Sequence, residues 1–237
     1  MIIQGDIHDV IKTFDTDSID CIYTDPPFSI TGAEWDQSLN WEMLWEEMWR
    51  VLKPNGSVVL HSSMPFTFDL VASQREYFKY NYIWKKNIST NFFLAKKQPL
   101  RIYEDICVFY KSQPTYNPQM VGNEFHKKRN VIFGGQDKYY GECKVKEKIG
   151  GWGEETIEGG HKGRYPNTLL DYPIRKSKKK DKNTASTRTD DMVDFFIKTY
   201  TNENDTILDM TCYDGLTGKR CDVLNRNYIG VDLNPID

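Results

Sequence analysis

The chain has 237 residues, of which 39% are hydrophobic and 27% are charged, and this supports one sizeable core with an inserted or appended region. It contains no run of 18 apolar residues, which excludes a hydrophobic transmembrane helix, and we expect no secretory signal because the first ten residues lack its basic and apolar segments. Five scattered cysteines form no C-x-x-C pair, so we expect neither a zinc site nor a disulfide framework, and a reducing compartment fits this usage.

Formal charge is distributed unevenly along the chain. The net charge is −3, yet residues 79–188 carry 23 Lys and Arg against 11 Asp and Glu, a net +12. The remaining segments carry 8 Lys and Arg against 23 Asp and Glu, a net −15. This asymmetry indicates an acidic body with a basic, anion-facing middle region, and the alternative is chance clustering on solvated faces.

In chain order, the first strongly patterned segment is a short apolar strand over 19–23, which must end at the following Pro-Pro pair because proline cannot donate to a ladder. Apolar residues then recur at helical spacing over 41–52. A Pro-Asn-Gly sequence at 54–56 predicts a turn before a strand over 57–60. A strand, a helix and a strand at this spacing predict a βαβ unit in a parallel sheet.

The pattern fades after two further predicted strands, over 80–84 and 106–110. Residues 112–185 contain three Gly-Gly pairs and a lysine-rich run at 175–182, which is typical of a loop-rich basic insertion with a partly disordered lysine run. Order returns at Asp190, a candidate N-cap. The C-terminal elements are predicted as a helix from Asp190, a strand over 206–209, a helix over 216–225 and a strand over 227–231.

Thr24-Asp25-Pro26-Pro27-Phe28 is the sharpest local feature, and it follows a predicted strand at the end where open α/β sheets bind ligands. Asp25 and a backbone carbonyl can accept hydrogen bonds from an exocyclic amine, and Phe28 can stack on the ring that bears it. The segment therefore suits a planar, amino-bearing base. The alternative interpretation is a Pro-Pro turn with a surface aspartate.

Several other motifs occur in order along the chain. They are Gly5-Asp6, Ser18-Ile19-Asp20 leading into Thr24 to Pro27, Trp35-Asp36, Lys53 to Gly56, and Asn225 to Asp232. Together with Asp25 to Phe28, which matches an Asp/Asn/Ser-Pro-Pro-aromatic catalytic motif, they resemble the DNA amino-methyltransferases of the permuted, β-type class. In that class the catalytic half precedes the cofactor half, and the chain is similar to phage-like members. The resemblance covers roughly the first 120 and the last 48 residues.

This resemblance implies an α/β, Rossmann-like methyltransferase fold, with a mostly parallel sheet, helices on both faces and a loop-rich basic insertion. It divides the chain into a catalytic half (1–111), an inserted target-recognition region (112–185) and a cofactor half (186–237). It implies S-adenosyl-L-methionine as cofactor and double-stranded DNA with a flipped target base as substrate. The expected setting is DNA methylation, as in restriction-modification, in the cytoplasm of a bacterial or phage-infected cell. Neither a membrane nor a metal is expected, and a homodimer or a partner subunit is possible in this family.

The implied reaction is direct methyl transfer to the N6 amine of adenine. An acidic first motif residue is more typical of adenine-N6 enzymes, whereas cytosine-N4 enzymes more often carry serine there, so cytosine-N4 is the lesser alternative. Cytosine-C5 chemistry needs a nucleophilic cysteine, usually after a proline, and none of the five cysteines follows a proline. The motif also serves RNA enzymes, so RNA stays open as a substrate.

The resemblance assigns a role to individual residues. It assigns catalysis to Asp25, Pro26, Pro27 and Phe28. It places the cofactor against Asp6, Ile7, Asp25, Asp209, Thr211, Tyr213, Gly215, Asp232, Leu233 and Asn234, with Asp232 as the acid that holds the ribose. Cations in and beside the insertion are expected to bind DNA phosphates, and they are Lys96, Lys97, Arg101, Lys127, Lys128, Arg129, Lys178, Lys179 and Lys180.

Two segments depart from the family pattern. Tyr213 stands where a glycine-rich cofactor turn has its first glycine, and Asp214 stands where that turn has a serine. Residues 184–189 retain little of a His-Pro-Thr-Gln-Lys-Pro stretch beyond one basic residue. These departures motivate a second hypothesis, a methyltransferase-like DNA-binding protein or subunit with impaired or altered cofactor binding.

Overall fold

The structure is a computed structural model that describes residues 1–126, 161–175 and 188–234. The chain divides into two units, one made of Met1–Pro118 and Asn167–Asp237 and the other of Gln119–Pro166. The second unit is shorter than the predicted insertion, because residues 112–118 and 167–175 belong to the first unit.

The described residues form ten strands and five α-helices. The strands are β1 (Ile2–Gln4), β2 (Ile19–Thr24), β3 (Leu52–Ser62), β4 (Phe78–Thr90), β5 (Arg101–Phe109), β6 (Val121–His126), β7 (His161–Arg164), β8 (Leu169–Asp171), β9 (Thr206–Asp209) and β10 (Asn227–Asp232). The helices are α1 (Ile7–Val10), α2 (Trp41–Val51), α3 (Phe66–Ser73), α4 (Asp190–Tyr200) and α5 (Leu216–Val223), with 3-10 turns at Ile11–Thr13 and Phe92–Leu94.

Eight strands form one sheet in the order β1-β10-β9-β2-β3-β5-β4-β8. All neighbouring pairs are parallel except those that involve β5, which runs antiparallel to both β3 and β4. The carboxyl ends of β1, β10, β9, β2, β3 and β4 therefore meet at the same edge of the sheet, which we term the carboxyl edge. Ligands of open α/β sheets bind at such an edge.

Helices cover both faces of this sheet. Successive side chains of a strand point to opposite faces, so adjacent strand residues pack into different clusters. Tyr23 and Val59 pack into one buried cluster with residues of α4 and α5, including Phe196. Ile22 and Val58 pack into a second cluster with residues of α1, α2 and α3. The predicted α/β fold, with a mostly parallel sheet and helices on both faces, is confirmed.

The strand β3 begins earlier than predicted. Leu52 already pairs with Ile19, and regular pairing resumes at Ser57, so the predicted Pro-Asn-Gly turn lies inside an irregular part of the strand. A Cβ atom at Gly56 would lie 2.9 Å from the carbonyl oxygen of Asp20, which explains why this irregularity carries a glycine. The helix α2 consequently leads into the sheet without a separate loop.

The C-terminal helices differ slightly from their predicted bounds. Thr189, and not Asp190, occupies the N-cap position of α4, and α5 ends at Val223 instead of residue 225. Such shifts of one or two residues are common because helix ends are only partly hydrogen bonded.

The second unit contains the antiparallel pair β6 and β7. Most of the lysine-rich run, from residue 176 onward, lies outside the described residues. Within the described parts of the chain, no helix is long and apolar enough to cross a bilayer. The same residues include no group of three His, Cys, Asp or Glu that could hold a metal ion.

Candidate active site

The Asp25-Pro-Pro-Phe segment leaves the sheet at the carboxyl edge, directly after the buried strand β2. The Thr24 and Thr211 hydroxyls are 2.9 Å apart, and Thr211 Oγ1 donates to the Asp25 carbonyl at 3.0 Å. Since Thr211 follows β9, the neighbour of β2, these bonds hold the predicted catalytic motif against the predicted cofactor segment. The topology thus brings together two segments that lie 186 residues apart in sequence.

Asp25 is a mostly buried carboxylate, with 27% of its side chain exposed. Burial raises its pKa to about 6, because a charged carboxylate loses hydration there. Arg188 and Lys86 oppose this shift of the Asp25 pKa, whereas Glu104 and Asp209 add to it. A pKa of about 6 leaves Asp25 mainly ionised at neutral pH, and therefore able to accept hydrogen bonds from an amine.

Arg188 lies beside Asp25 and was not among the predicted site residues. Its Nε lies 3.8 Å from Asp25 Oδ2, and its guanidinium lies 5.7 Å from the centre of the Tyr23 ring. Burial lowers the pKa of Arg188, but Asp25, Tyr23 and Asp209 together outweigh this effect and the net shift is upward. The only sequence signal was a basic residue retained in the altered 184–189 stretch.

Phe28 is half-buried in a group of aromatic rings. Its ring stacks on Phe66 with centroids 5.6 Å apart and an interplanar angle of 20°, and Phe66 in turn contacts Trp41 at 5.4 Å. Phe66 begins α3 and Trp41 begins α2, so two helices support the ring from behind. Phe28 is thereby held in a fixed position beside Asp25.

The loop after Phe28 is organised by Asp36, which is only 5% exposed. Its carboxylate accepts backbone N–H bonds from Ser29 at 2.6 Å, Ile30 at 2.9 Å and Thr31 at 2.6 Å. Burial raises the pKa of Asp36, but these hydrogen bonds outweigh it and the pKa is lowered. This explains the Trp-Asp pair of the sequence, whose Asp acts through the backbone.

Asp232, the last residue of β10, connects three segments at the carboxyl edge. Its carboxylate accepts N–H bonds from Tyr213 and Asn234, both at 2.9 Å, and its carbonyl accepts one from Gly5 at 2.9 Å. The side chain is half-buried, and two backbone bonds leave a carboxylate with acceptor capacity for further hydroxyl donors.

The altered turn keeps a glycine-like backbone. Tyr213 adopts φ 46°, a left-handed conformation that favours glycine, and 56% of the residue is exposed. The Asp214 carboxylate forms an ion pair with Arg175 and accepts an N–H bond from Leu216 at 3.1 Å, at the start of α5. The Tyr213 side chain is thus largely in solvent, and the Asp214 side chain lies at the N-terminus of α5.

The remaining predicted cofactor residues also follow strands at the carboxyl edge, but their side chains differ in accessibility. Ile7 and Asp209 are buried, and Ile7 packs in the core. Burial raises the pKa of Asp209. Asp6 caps α1 through its His8 contacts, with Oδ1 2.9 Å from the His8 backbone nitrogen. Leu233 is exposed, and Gly215 adopts a left-handed φ of 66° just before α5.

The predicted DNA-binding residues divide into two groups. Lys96 and Lys97 are exposed on the connection between β4 and β5, which lies at the carboxyl edge. Arg101 instead donates to Ser63 Oγ at 2.7 Å and to the Met64 carbonyl at 3.0 Å, so its guanidinium holds the loop after β3. The remaining candidates lie outside the described residues, and they are Lys127, Lys128, Arg129, Lys178, Lys179 and Lys180.

Comparison with known proteins decides the family. Residues 19–236 match the N6/N4 DNA methylase family. The chain belongs to this family. It is a DNA methyltransferase, an enzyme whose cofactor is S-adenosylmethionine.

Individual relatives and structures agree with this placement. The DNA adenine methyltransferase YhdJ of Escherichia coli (strain K12) is 25% identical over 248 residues, which cover 98% of this chain and 78% of the relative. The PvuII DNA methyltransferase, described as cytosine-N4-specific, has the same fold at a TM-score of 0.68 and 15% identity, covering 99% of this chain and 82% of that one. The M1.HpyAVI complex with S-adenosylmethionine aligns at a TM-score of 0.56 and 20% identity, covering 99% and 93%.

The donor set of the methylase fits its cofactor. Asp232 offers a half-exposed carboxylate at a strand end, which suits the hydroxyls of a ribose. The turn at Tyr213 follows a glycine-like path and its side chain is largely in solvent, so the substitution does not fill the turn. Family membership and this geometry favour the enzyme over the hypothesis of a binding protein with impaired cofactor binding.

Proposed function

We propose that this enzyme methylates the N6 amine of adenine in DNA, on a base flipped out of the duplex. The observation that carries the proposal is the ionisable, mostly buried Asp25 at the start of the Pro-Pro-Phe segment. The adenine specificity in the name of the relative YhdJ supports the choice of base. The likeness to the PvuII enzyme is one of fold, and we retain cytosine-N4 only as an outcome of the test.

Asp25 would act on the target amine directly. The lone pair of an exocyclic amine is conjugated into the ring, which makes the nitrogen a poor nucleophile. Hydrogen bonds from its N–H groups to Asp25 and to a proline carbonyl of the motif draw the nitrogen towards tetrahedral geometry and stabilise the positive charge that develops on it. With a pKa of about 6, the carboxylate is also available to receive the proton that the methylated nitrogen releases.

The bound cofactor supplies an electrophilic methyl group on a sulfonium. The Asp232 and Thr211 segments, held next to Asp25 by the contacts described above, would bind it beside the motif. Phe28 would stack on the flipped base, and its support by Phe66 reduces the orientational freedom that the base must lose.

We place DNA along the carboxyl edge. The connection between β4 and β5 presents Lys96 and Lys97 together with two exposed rings, Phe92 (63% exposed) and Phe93 (85% exposed). Cations for phosphates and rings for unstacked bases are the groups that a base-flipping enzyme needs. We assign target recognition to the basic insertion at 112–185, within a permuted order in which the catalytic motif comes first.

The reaction is tested by incubating the protein with labelled S-adenosylmethionine and unmethylated duplex DNA of mixed sequence, then digesting the DNA to nucleosides. We expect label in N6-methyldeoxyadenosine. We expect Asp25→Ala to lower the transfer rate by at least about 100-fold while duplex affinity stays within a few-fold. Glu203→Ala, in an exposed loop, is the matched control and should keep its rate.

Each other outcome has a definite meaning. Label in N4-methyldeoxycytidine would assign the enzyme to cytosine instead. Label in RNA but not in DNA would overturn the DNA substrate. A folded protein that labels no nucleic acid, or an Asp25→Ala variant with an undiminished rate, would refute the assigned chemistry.

A further inference from the structure

We propose that Arg188 is a positioning residue that keeps Asp25 ionised and its oxygens free for the target amine. The inference rests on the proposed function of Asp25. Arg188 would act through Asp25 without touching the substrate.

The distance between the two groups is the first argument. Arg188 Nε lies 3.8 Å from Asp25 Oδ2, which is within reach of a strong charge interaction but too long for a hydrogen bond. A bidentate arginine would occupy both carboxylate oxygens and compete with an incoming amine. At this separation the guanidinium stabilises the negative charge, and within the described part of the chain no group donates a hydrogen bond to the Asp25 carboxylate.

The charges that face Asp25 give the second argument. The cations are Arg188 and Lys86, and the anions are Glu104 and Asp209. Lys86 and Glu104 form an ion pair with each other, so their effects on Asp25 largely cancel. Arg188 therefore supplies the cation that offsets two buried acids, Asp25 and Asp209, at the junction of β2 and β9.

The way in which Arg188 is buried gives the third argument. Only 8% of its side chain is exposed, it lies over the Tyr23 ring, and its Nη1 has no hydrogen-bond partner among the described residues. A buried cation with an unsatisfied N–H is costly, and an apolar side chain of similar volume often gives a more stable fold. A purely structural role would therefore not favour arginine here.

Neighbouring groups keep this charge arrangement simple. Tyr23 OH lies 3.1 Å from His61 Nε2. Burial, together with the charges of Arg188 and Lys86, places the pKa of His61 well below its usual value, so His61 is neutral and adds no second charge near neutral pH. Among the charges that face Asp25, Arg188 therefore has the largest effect on the ionisation of its carboxyl group.

The first test is the pH profile of methyl transfer on unmethylated mixed-sequence DNA, measured for Arg188→Gln and Arg188→Lys. In the wild type we expect the acid limb to have its midpoint near the pKa of Asp25, about 6. Arg188→Gln should move this limb upward by about one pH unit, because the carboxylate loses its cation. Arg188→Lys keeps the charge, and it should restore most of the limb towards the wild-type position.

Arg220→Gln is the matched control. Arg220 also forms an ion pair with a carboxylate, Asp194, at 2.6 Å and 2.8 Å, but it joins α5 to α4 away from Asp25. It should lower stability without moving the acid limb. If Arg188→Gln lowers activity equally at every pH, or if Arg220→Gln moves the limb as far, the positioning role is wrong.

A second test needs neither cofactor nor DNA, so it separates failure of this inference from failure of the proposed function. Because the folded pKa of Asp25 lies above its ordinary value of 3.8, its contribution to stability is fully present below pH 3.8 and is lost as pH rises through about 6. The free energy of unfolding in urea, measured at a series of pH values, should continue to fall to a higher pH in Arg188→Gln than in the wild type. Asp25→Asn should abolish this pH-dependent fall, both alone and combined with Arg188→Gln.

Arg188→Met covers the case in which the glutamine variant does not fold. Its apolar side chain fills a similar volume, and the same displacement of the pH dependence is expected. Parallel pH curves for the wild type and the folded Arg188 variants would overturn the inference, even if the enzyme proves to methylate adenine.

Discussion

Asp25 illustrates, at the scale of one residue, how a reactive group lowers stability. A carboxylate with a folded pKa of about 6, against 3.8 for the ordinary group, is charged at neutral pH at a cost to the folded state. The partial exposure of the side chain reduces that cost through solvent screening. In the proposed reaction the carboxylate can receive the proton that the methylated amine releases, which an amide in its place cannot do.

If Asp25 has the proposed role, Asp25→Asn should lower the transfer rate and yet stabilise the protein at pH 7.5 by about 1 kcal/mol. The gain should be much smaller near pH 3.5, where the carboxyl is mostly protonated in both states and carries little charge to bury. Urea unfolding at the two pH values measures the difference, with Glu203→Gln as a surface control that should stay within about 0.5 kcal/mol at both. A gain that is equal at both pH values would mean that the effect does not come from the charge of Asp25.

At the scale of elements, the site is made of strand ends and of the loops that follow them. Some of this could be predicted from the sequence, because apolar spacing over 41–52 reports a helix face and Asp25-Pro-Pro must end a strand. The antiparallel direction of β5 could not be predicted, since a buried strand has the same apolar pattern in either direction. Nor could the contact between Asp25 and Arg188, because it depends on how distant segments meet at the carboxyl edge.

The loop after Phe28 gives a prediction at this scale. Asp36→Ala removes one carboxylate from three backbone N–H groups, and we expect a loss of stability of about 2 kcal/mol at pH 7 and a fall in transfer rate as Phe28 loses its fixed position. The stabilising effect of Asp36 depends on its lowered pKa, so it is present above about pH 4 and is lost as pH falls further.

Two measurements check this expectation. Urea unfolding at pH 7 and pH 3 should show that Asp36→Ala and the wild type differ less at the lower pH. Limited proteolysis should cut the variant within 29–36 sooner than the wild type. Asp69→Ala, an exposed residue of α3, is the control, and equal protease resistance of Asp36→Ala and the wild type would show that Asp36 does not hold the loop.

At the scale of the whole molecule, the uneven charge has a structural counterpart. The net charge of −3 is the sum of an acidic remainder and a basic middle region, and the described part of that region places Lys96 and Lys97 at the carboxyl edge that carries Asp25. Arg101, which belongs to the same region, is held by Ser63 and Met64. Charge alone therefore does not identify a candidate for a phosphate contact, and the exposure and position of the side chain have to be considered with it.

Salt dependence of duplex binding separates these roles. Each phosphate contact that is lost should reduce the slope of log affinity against log salt by about 0.9. The double variant Lys96→Gln with Lys97→Gln should therefore reduce the slope by about 1 to 2. Neutralising Lys178, Lys179 and Lys180 together should reduce it by up to about 3. Lys198→Gln is the control, because Lys198 lies in the last turn of α4, which leads to the amino end of β9 at the opposite edge of the sheet. The salt slopes of the three variants are measured by fluorescence anisotropy of a labelled duplex. The salt concentration is varied from about 50 to about 200 mM. If Lys198→Gln changes the slope as much per lysine as Lys96 and Lys97 do, the effect is one of overall charge and the carboxyl edge is not the DNA-binding face.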